Sequence, residues 1–273
     1  MNRLLPLALL GLAMAPTARD SANEVLFQEL LDGGTPSAQV DTIREIFARS
    51  PYIGQGNPAI TRHPMTEAEC RSDFVEDPAD VAICGAPRMA PLYDPATQDR
   101  TEATVCIDRF EFPNLPCVYP VTWVRAAEAP AICEAQGKRL CDAHEWEGAC
   151  AGALGPPDYR FDLAKGRSEL AAQAAMREAH NARYQATRAW SYGPAPRTGV
   201  CAQASTKSPD CNGGQWSTCG SNTYPAGAFP DCSTTTPATP RHATRSFGET
   251  CRTSCGCSFR SRCTPRPTRS RSS

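Results

Sequence analysis

Fifteen cysteines in 273 residues constrain this chain more than any other feature. A reducing cytosol does not tolerate that many thiols unless they bind metal. The N-terminus points to an oxidising compartment instead. Met1-Asn2-Arg3 gives a short positive region, and residues 4–15 (LLPLALLGLAMA) give an apolar stretch of export-signal length. Small residues follow at Ala13, Ala15 and Ala18. We read 1–18 as a signal peptide and place the mature chain in the periplasm or outside the cell. No apolar run reaches the roughly 18 residues that cross a bilayer, so no transmembrane segment is expected.

Charge divides the chain. Residues 233–273 hold eight Arg and one Glu, a net +7, whereas 19–232 hold 19 basic and 28 acidic residues, a net -9. The whole chain sums to -1, which argues against a chain-wide nucleic-acid binder. With 25 Pro and 19 Gly a long helical bundle is not expected, and a loop-rich fold is.

Periodicity predicts the elements. Ser21-x-x-Glu24 has capping-box form, with Val25, Leu26, Leu30 and Leu31 near one helix face and Gly33-Gly34 as the stop. Ser37 caps a second helix bearing Val40, Ile43, Ile46 and Phe47, which Pro51 ends. Thr66-x-x-Glu69 is another capping box, leading into Cys70. Residues 84–103 read as a connecting loop. Residues 104–112 (TVCIDRFEF) alternate as a strand, 118–124 form a second short strand, and a helix runs from about Ala127 to Gln136 with Gly137 at its end. Pro130 fits only in that helix's first turn. Asp142-x-x-Glu145 caps the next helix, and 167–183 form an Ala-rich one. Trp123 and Trp146 are expected to be buried.

The strings CIDRFEFPN, VTW and CEAQGKRLCDAHEWEGACAG, in that order, resemble the formylglycine-generating enzyme (sulfatase-modifying factor) family. The matching residues are Ile107, Asp108, Phe110, Glu111, Val121, Thr122, Trp123, Gly137, Lys138, Arg139, Leu140, Glu145, Trp146, Glu147 and Ala149, with Asp142 standing where the family has a Thr cap. CGSNTYPAGAFPDC (219–232) is similar to the family's later "TYPVGSFP" stretch. The resemblance implies an α+β, C-type-lectin-like domain over 100–232, preceded by a helical and loop region at 19–99. It covers neither that region nor the tail.

After Cys232 the family's "GVYDMHGNVWEW" and terminal "GFRC" or "GFRV" do not follow. The copper-binding cysteine pair of active members belongs to that part, so no catalytic residue is carried over and the copper finds no recognisable ligands here. The sequence identifies no cofactor, and structural calcium stays open. Cys251, Cys255, Cys257 and Cys263 lie in CRTSCGCSFRSRC, which fits no common zinc module. The 41-residue tail lacks Val, Ile, Leu and Met and is expected to be disordered, as after a shifted reading frame. His144-Glu145 lacks the second His of a zinc motif, since position 148 is Gly. Glu145 and Glu147 lie two apart on one helix, which does not suit a catalytic carboxylate pair. A related iron-dependent oxidase branch needs His ligands near the N-terminus, where 19–70 offer only His63.

The disulfide candidates are Cys70, Cys84, Cys106, Cys117, Cys133, Cys141, Cys150, Cys201, Cys211, Cys219 and Cys232. Their pairing is open, except that Cys141 and Cys150 sit at opposite ends of one helix. That puts them about 13 Å apart, against the ~7 Å limit of a bridge. The expected function is an exported member of the family, inactive as written. The alternative is a secreted lectin-like module whose partner is an exported protein or a glycan. Thiol counting on protein from the native host should find most cysteines oxidised; a majority of free thiols would refute export into an oxidising compartment.

Overall fold

The computed structural model describes residues 16–56, 66–151, 153–154, 157, 159–184, 197, 200, 224–229 and 257–259. The fold is α+β. Residues 1–15, most of 185–232 and most of 233–273 lie outside the described residues.

Two helices open the fold, α1 (Ala18–Asp32) and α2 (Ser37–Arg49). Helix α1 begins a turn before the Ser21–Glu24 box. Thr17 is the N-cap, and its hydroxyl accepts from the Asp20 N–H at 3.2 Å while the Asp20 carboxylate accepts from the Thr17 N–H at 3.2 Å. The earlier box wins because it adds a turn in which the Arg19 guanidinium reaches the Pro51 carbonyl. The buried face also differs from expectation: it holds Asn23, Leu26, Phe27 and Leu30, whereas Val25 is 56% exposed. Docking decides this rotation. The Phe27 ring meets Phe47 of α2 edge-on at 5.2 Å, and Asn23 Oδ1 accepts from the Gln55 N–H at 3.2 Å. In α2 the expected Val40, Ile43 and Phe47 are buried, but Ser37 is the first helical residue and Pro36 occupies the cap position.

A two-stranded ribbon pairs β1 (Gly54–Gln55) antiparallel with β4 (Val121–Thr122). The chain between them carries α3 (Glu67–Asp73), capped by Thr66 and Glu69 as expected, then α4 (Pro78–Cys84). Next come β2 (Met89–Leu92) and β3 (Val105–Asp108). Strand β2 corrects the loop reading of 84–103, and helix α4 just before it is an element the sequence reading did not assign. Pro78 sits at the helix start behind the Asp77 cap, where its missing N–H costs nothing, and left-handed Gly85 ends the helix.

Strand β3 is shorter than 104–112, and all four of its residues are buried. Its alternation is present, but both faces meet apolar cores. Val105 and Ile107 join Ala90, Leu92, Cys141 and Ala149 on one side, with Trp146 packed against them, and Cys106 joins Cys84 and Met89 on the other.

Helix α5 (Glu128–Ala135) starts after Ala127 and ends at left-handed Gly137, as the prolines and glycines predict. Then come β5 (Arg139–Leu140), where a plain connector was expected, α6 (Ala143–Ala151) and α7 (Glu169–Tyr184). The last described strand, β6 (Cys257–Phe259), makes the sheet order β2-β3-β6-β5. No helix among the described residues is long and apolar enough to cross a membrane.

The largest apolar cluster joins Leu26, Phe27, Leu30, Val40, Ile43 and Phe47 of the first helices to Leu115, Val118, Val121 and Ile132. The approach is close: a Cβ on Gly33 would lie 2.6 Å from Leu115 Cδ2. Two disulfides, Cys70–Cys117 and Cys84–Cys106, tie α3 to the segment before β4 and α4 to β3.

Thr17→Ala removes the main hydrogen bond that holds the Asp20 carboxyl below its ordinary range. We expect a loss of about 0.5–2 kcal/mol at pH 7. A depressed carboxyl stabilises above its unfolded pKa of about 4 and loses that contribution as pH falls through the folded value. Urea midpoints of wild type and variant should therefore converge in acid, and a gap that widens there would contradict this cap.

Candidate functional site

Strand β3 ends in Asp108 and the bend after it begins with Arg109, each only 1% exposed. A buried charge is costly unless it is paired, so each must find a counterion inside the protein.

Arg109 turns towards α4. Its Nε–H donates to the Met89 carbonyl at 3.3 Å, and its guanidinium pairs with Asp80, itself 1% exposed. Asp80 also pairs with Arg100, which reaches Asp77 Oδ2 at 2.7 Å. Asp77 is the cap of α4 and accepts from the Ala79 N–H at 2.9 Å. The α4 N-terminus, whose dipole favours anions, thus delivers two carboxylates to two guanidinium groups. Burial pushes the Asp80 carboxyl up against the pull of Arg109 and Arg100. At Asp77 burial works the same way but is outweighed by the Arg100 and Ala79 hydrogen bonds, and its carboxyl is held down.

Asp108 finds different partners. Its Oδ1 accepts from Lys138 Nζ at 2.6 Å and Asn114 Nδ2 at 2.8 Å. Asn114 is held in left-handed backbone, φ 59°, and its Oδ1 caps the Phe110 N–H at 3.1 Å. Arg88, also left-handed at φ 57°, lies nearby. Its N–H donates to Glu76 at 2.8 Å and its guanidinium to the Gly33 carbonyl at 3.0 Å. Burial raises the Asp108 carboxyl, with Lys138 and Arg88 opposing. Burial lowers Arg88.

A third pair joins β5 to α6. Arg139 donates to Glu145 Oε2 at 2.8 Å, and the same oxygen accepts from the Asp142 N–H at 3.0 Å. Asp142 Oδ1 accepts from the Glu145 N–H at 2.8 Å, which closes the expected capping box. Among the described residues, three buried polar atoms lack a hydrogen-bond partner: Glu76 Oε1, Arg88 Nε and the Tyr93 hydroxyl.

The arrangement is neutral pair by pair. Asp77 and Asp80 face Arg100 and Arg109, while Asp108 and Glu76 face Lys138 and Arg88. Asp108 at the end of β3 and Arg109 just past it are each met by an opposite charge. Among the described residues no group of three or more His, Cys, Asp or Glu could hold a metal ion.

The motif residues fall into two sets. Asp108, Lys138, Arg139 and Glu145 form the ion pairs above, and Trp146 packs half-buried on the second apolar cluster. Trp123 corrects the expectation of burial: it is 40% exposed, in left-handed backbone at φ 61°. This turn at the end of β4 carries its ring away from the core. Glu147 is exposed, and His144 only starts a helix, its N–H donating to the Tyr159 hydroxyl at 3.2 Å.

Cys133 is a half-cystine. Cys141 is buried among the aliphatic side chains of the second cluster. Cys201, Cys211, Cys219 and Cys232 lie outside the described residues, as does His63. The Cys150 side chain also lies outside them.

Sequence reasoning missed Asp80, Arg88, Arg100 and Arg109. One signal was present: Asp108-Arg109 interrupts an otherwise apolar run, and a charged pair inside a strand pattern needs buried counterions.

No family model, no curated protein and no solved structure matches the chain.

Removing one partner of a buried pair strands the other charge. Asp80→Asn is therefore expected to cost about 3–5 kcal/mol in urea unfolding at pH 7. Pairing Asp80→Leu with Arg109→Met should recover most of that loss. A single-variant loss near zero, or a double variant no better than the single, would show that the pair is not a desolvated unit.

Proposed function

We propose that the chain is an exported, disulfide-stapled scaffold of the sulfatase-modifying-factor type, with a C-type-lectin-like core, that does not itself convert cysteine to formylglycine. One observation carries this. The motif residues on which the resemblance rests are occupied inside the protein: Asp108 with Lys138 and Arg139 with Glu145. They account for the resemblance as a way of folding and leave it no claim on chemistry. Oxidation of a substrate thiol by oxygen needs a redox metal held by soft ligands in a fixed frame. The sequence holds no recognisable counterpart of the family's copper-binding cysteine pair, and Cys257 is the one tail cysteine among the described residues.

A second reading is a secreted module that binds a protein or glycan. Trp123 favours it. A bulky residue in left-handed backbone is strained, and such strain clusters where function demands it. Nearby, exposed Tyr52 lies under the Arg125 guanidinium at 4.8 Å.

Incubation with a sulfatase peptide, with and without copper, is expected to leave the peptide cysteine unconverted by mass spectrometry. Appearance of formylglycine would overturn the first reading. Glycan-array binding lost in Trp123→Ala, with the fold retained, would favour the second.

A further inference from the structure

Strand β6 is far along the chain from the strands it joins, yet it lies between them. Cys106 and Ile107 of β3 pair with Phe259 and Ser258, while Arg139 and Leu140 of β5 pair with Ser258 and Cys257. Both ladders are antiparallel and two residues long. In the sheet, β5 is joined to β3 only through this strand.

The two sides of that slot are nevertheless held in place by other elements. Helix α5, just before β5, packs on α2, and α6, just after β5, packs on β2. Strand β3 is paired along its whole length with β2 and bridged to α4 by Cys84–Cys106. The body therefore fixes two strand edges one strand-width apart on each side, about 4.8 Å per pairing. Each edge presents backbone N–H and C=O groups that must be paired when buried.

We propose that the gap between β3 and β5 is a strand-acceptor site, and that a second copy of this chain can supply its Cys257–Phe259 segment to it, giving a strand-exchanged dimer. The incoming strand has the same sequence as the one seen here, so the same register and backbone hydrogen bonds form. Exchange of an identical element costs little beyond the loss of the intramolecular tether. The short ladders favour exchange, because few hydrogen bonds have to break together. Recognition is by backbone, the chemistry of β-augmentation. This inference stands apart from the proposed scaffold role and needs no ligand.

The test uses two differently tagged full-length chains expressed together, with one tag captured. The second tag is expected to co-purify with the first. Ser258→Pro in both chains removes a ladder donor and should lower the captured fraction about tenfold or more. Ser258→Ala in both keeps the N–H and should capture like wild type. Absence of wild-type capture, or capture undiminished by the proline, overturns the proposal. A second measurement does not depend on how the proline chain folds. An isotope-heavy chain carrying a photoreactive phenylalanine analogue at position 259 is co-expressed with a light chain. Adducts on light peptides containing 105–108 or 139–140 support exchange between copies, and adducts on heavy peptides alone overturn it.

Discussion

Asp108 closes β3 and Arg109 follows it directly, and both are buried. An uncompensated charge in such a place would cost several kcal/mol. Their partners come from separate parts of the chain: Asp80 from α4 and Lys138 from the α5–β5 turn. The end of the strand cannot be buried unless α4 and the α5–β5 turn both reach it. Arg100 and Asp77 then extend the first pair into the loop between β2 and β3. Ion pairs of this kind add little net stability, since desolvation opposes the attraction, but they penalise any other packing. Here they fix which elements may cover β3.

The disulfides act on the same region by a different route. Cys84–Cys106 joins the end of α4 to the middle of β3, so the α4–β3 contact is made both by sulfur and by charge. Cys70–Cys117 closes a longer loop, 47 residues, and brings α3 against the segment between Asn114 and β4. Cross-links of this size each remove roughly 3–4 kcal/mol of unfolded-chain entropy. That helps a domain whose regular strands are two to four residues long and whose ladders offer few cooperative hydrogen bonds.

The N-terminal helices belong to the same core. Phe27, Ile43 and Phe47 share a cluster with Leu115, Val118, Val121 and Ile132, so α1 and α2 cover the β1–β4 ribbon and α5. Arg88 reinforces that contact by reaching from the start of β2 to the Gly33 carbonyl at the end of α1. A helical segment that the family resemblance does not cover is thus a packed wall of the domain rather than an appendage to it.

Local rules determined much of this from sequence. Thr66 and Asp142 cap helices because each has a carboxylate three residues on, and α5 stops at Gly137 because only a residue tolerant of positive φ fits there. Cysteine-rich composition required bridges but not their pairing. Tertiary structure decided the rest, since it depends on which surfaces meet. The rotation of α1 was fixed by Phe47, not by its own pattern. Residues 89–92 became a strand because β3 offered an unpaired edge, and the same demand drew a strand from the tail. Trp123 faces outward because its backbone turns left-handed after β4. The role of Asp80 was out of reach of local rules, for its counterion lies 29 residues away and nothing within a helical turn marks it.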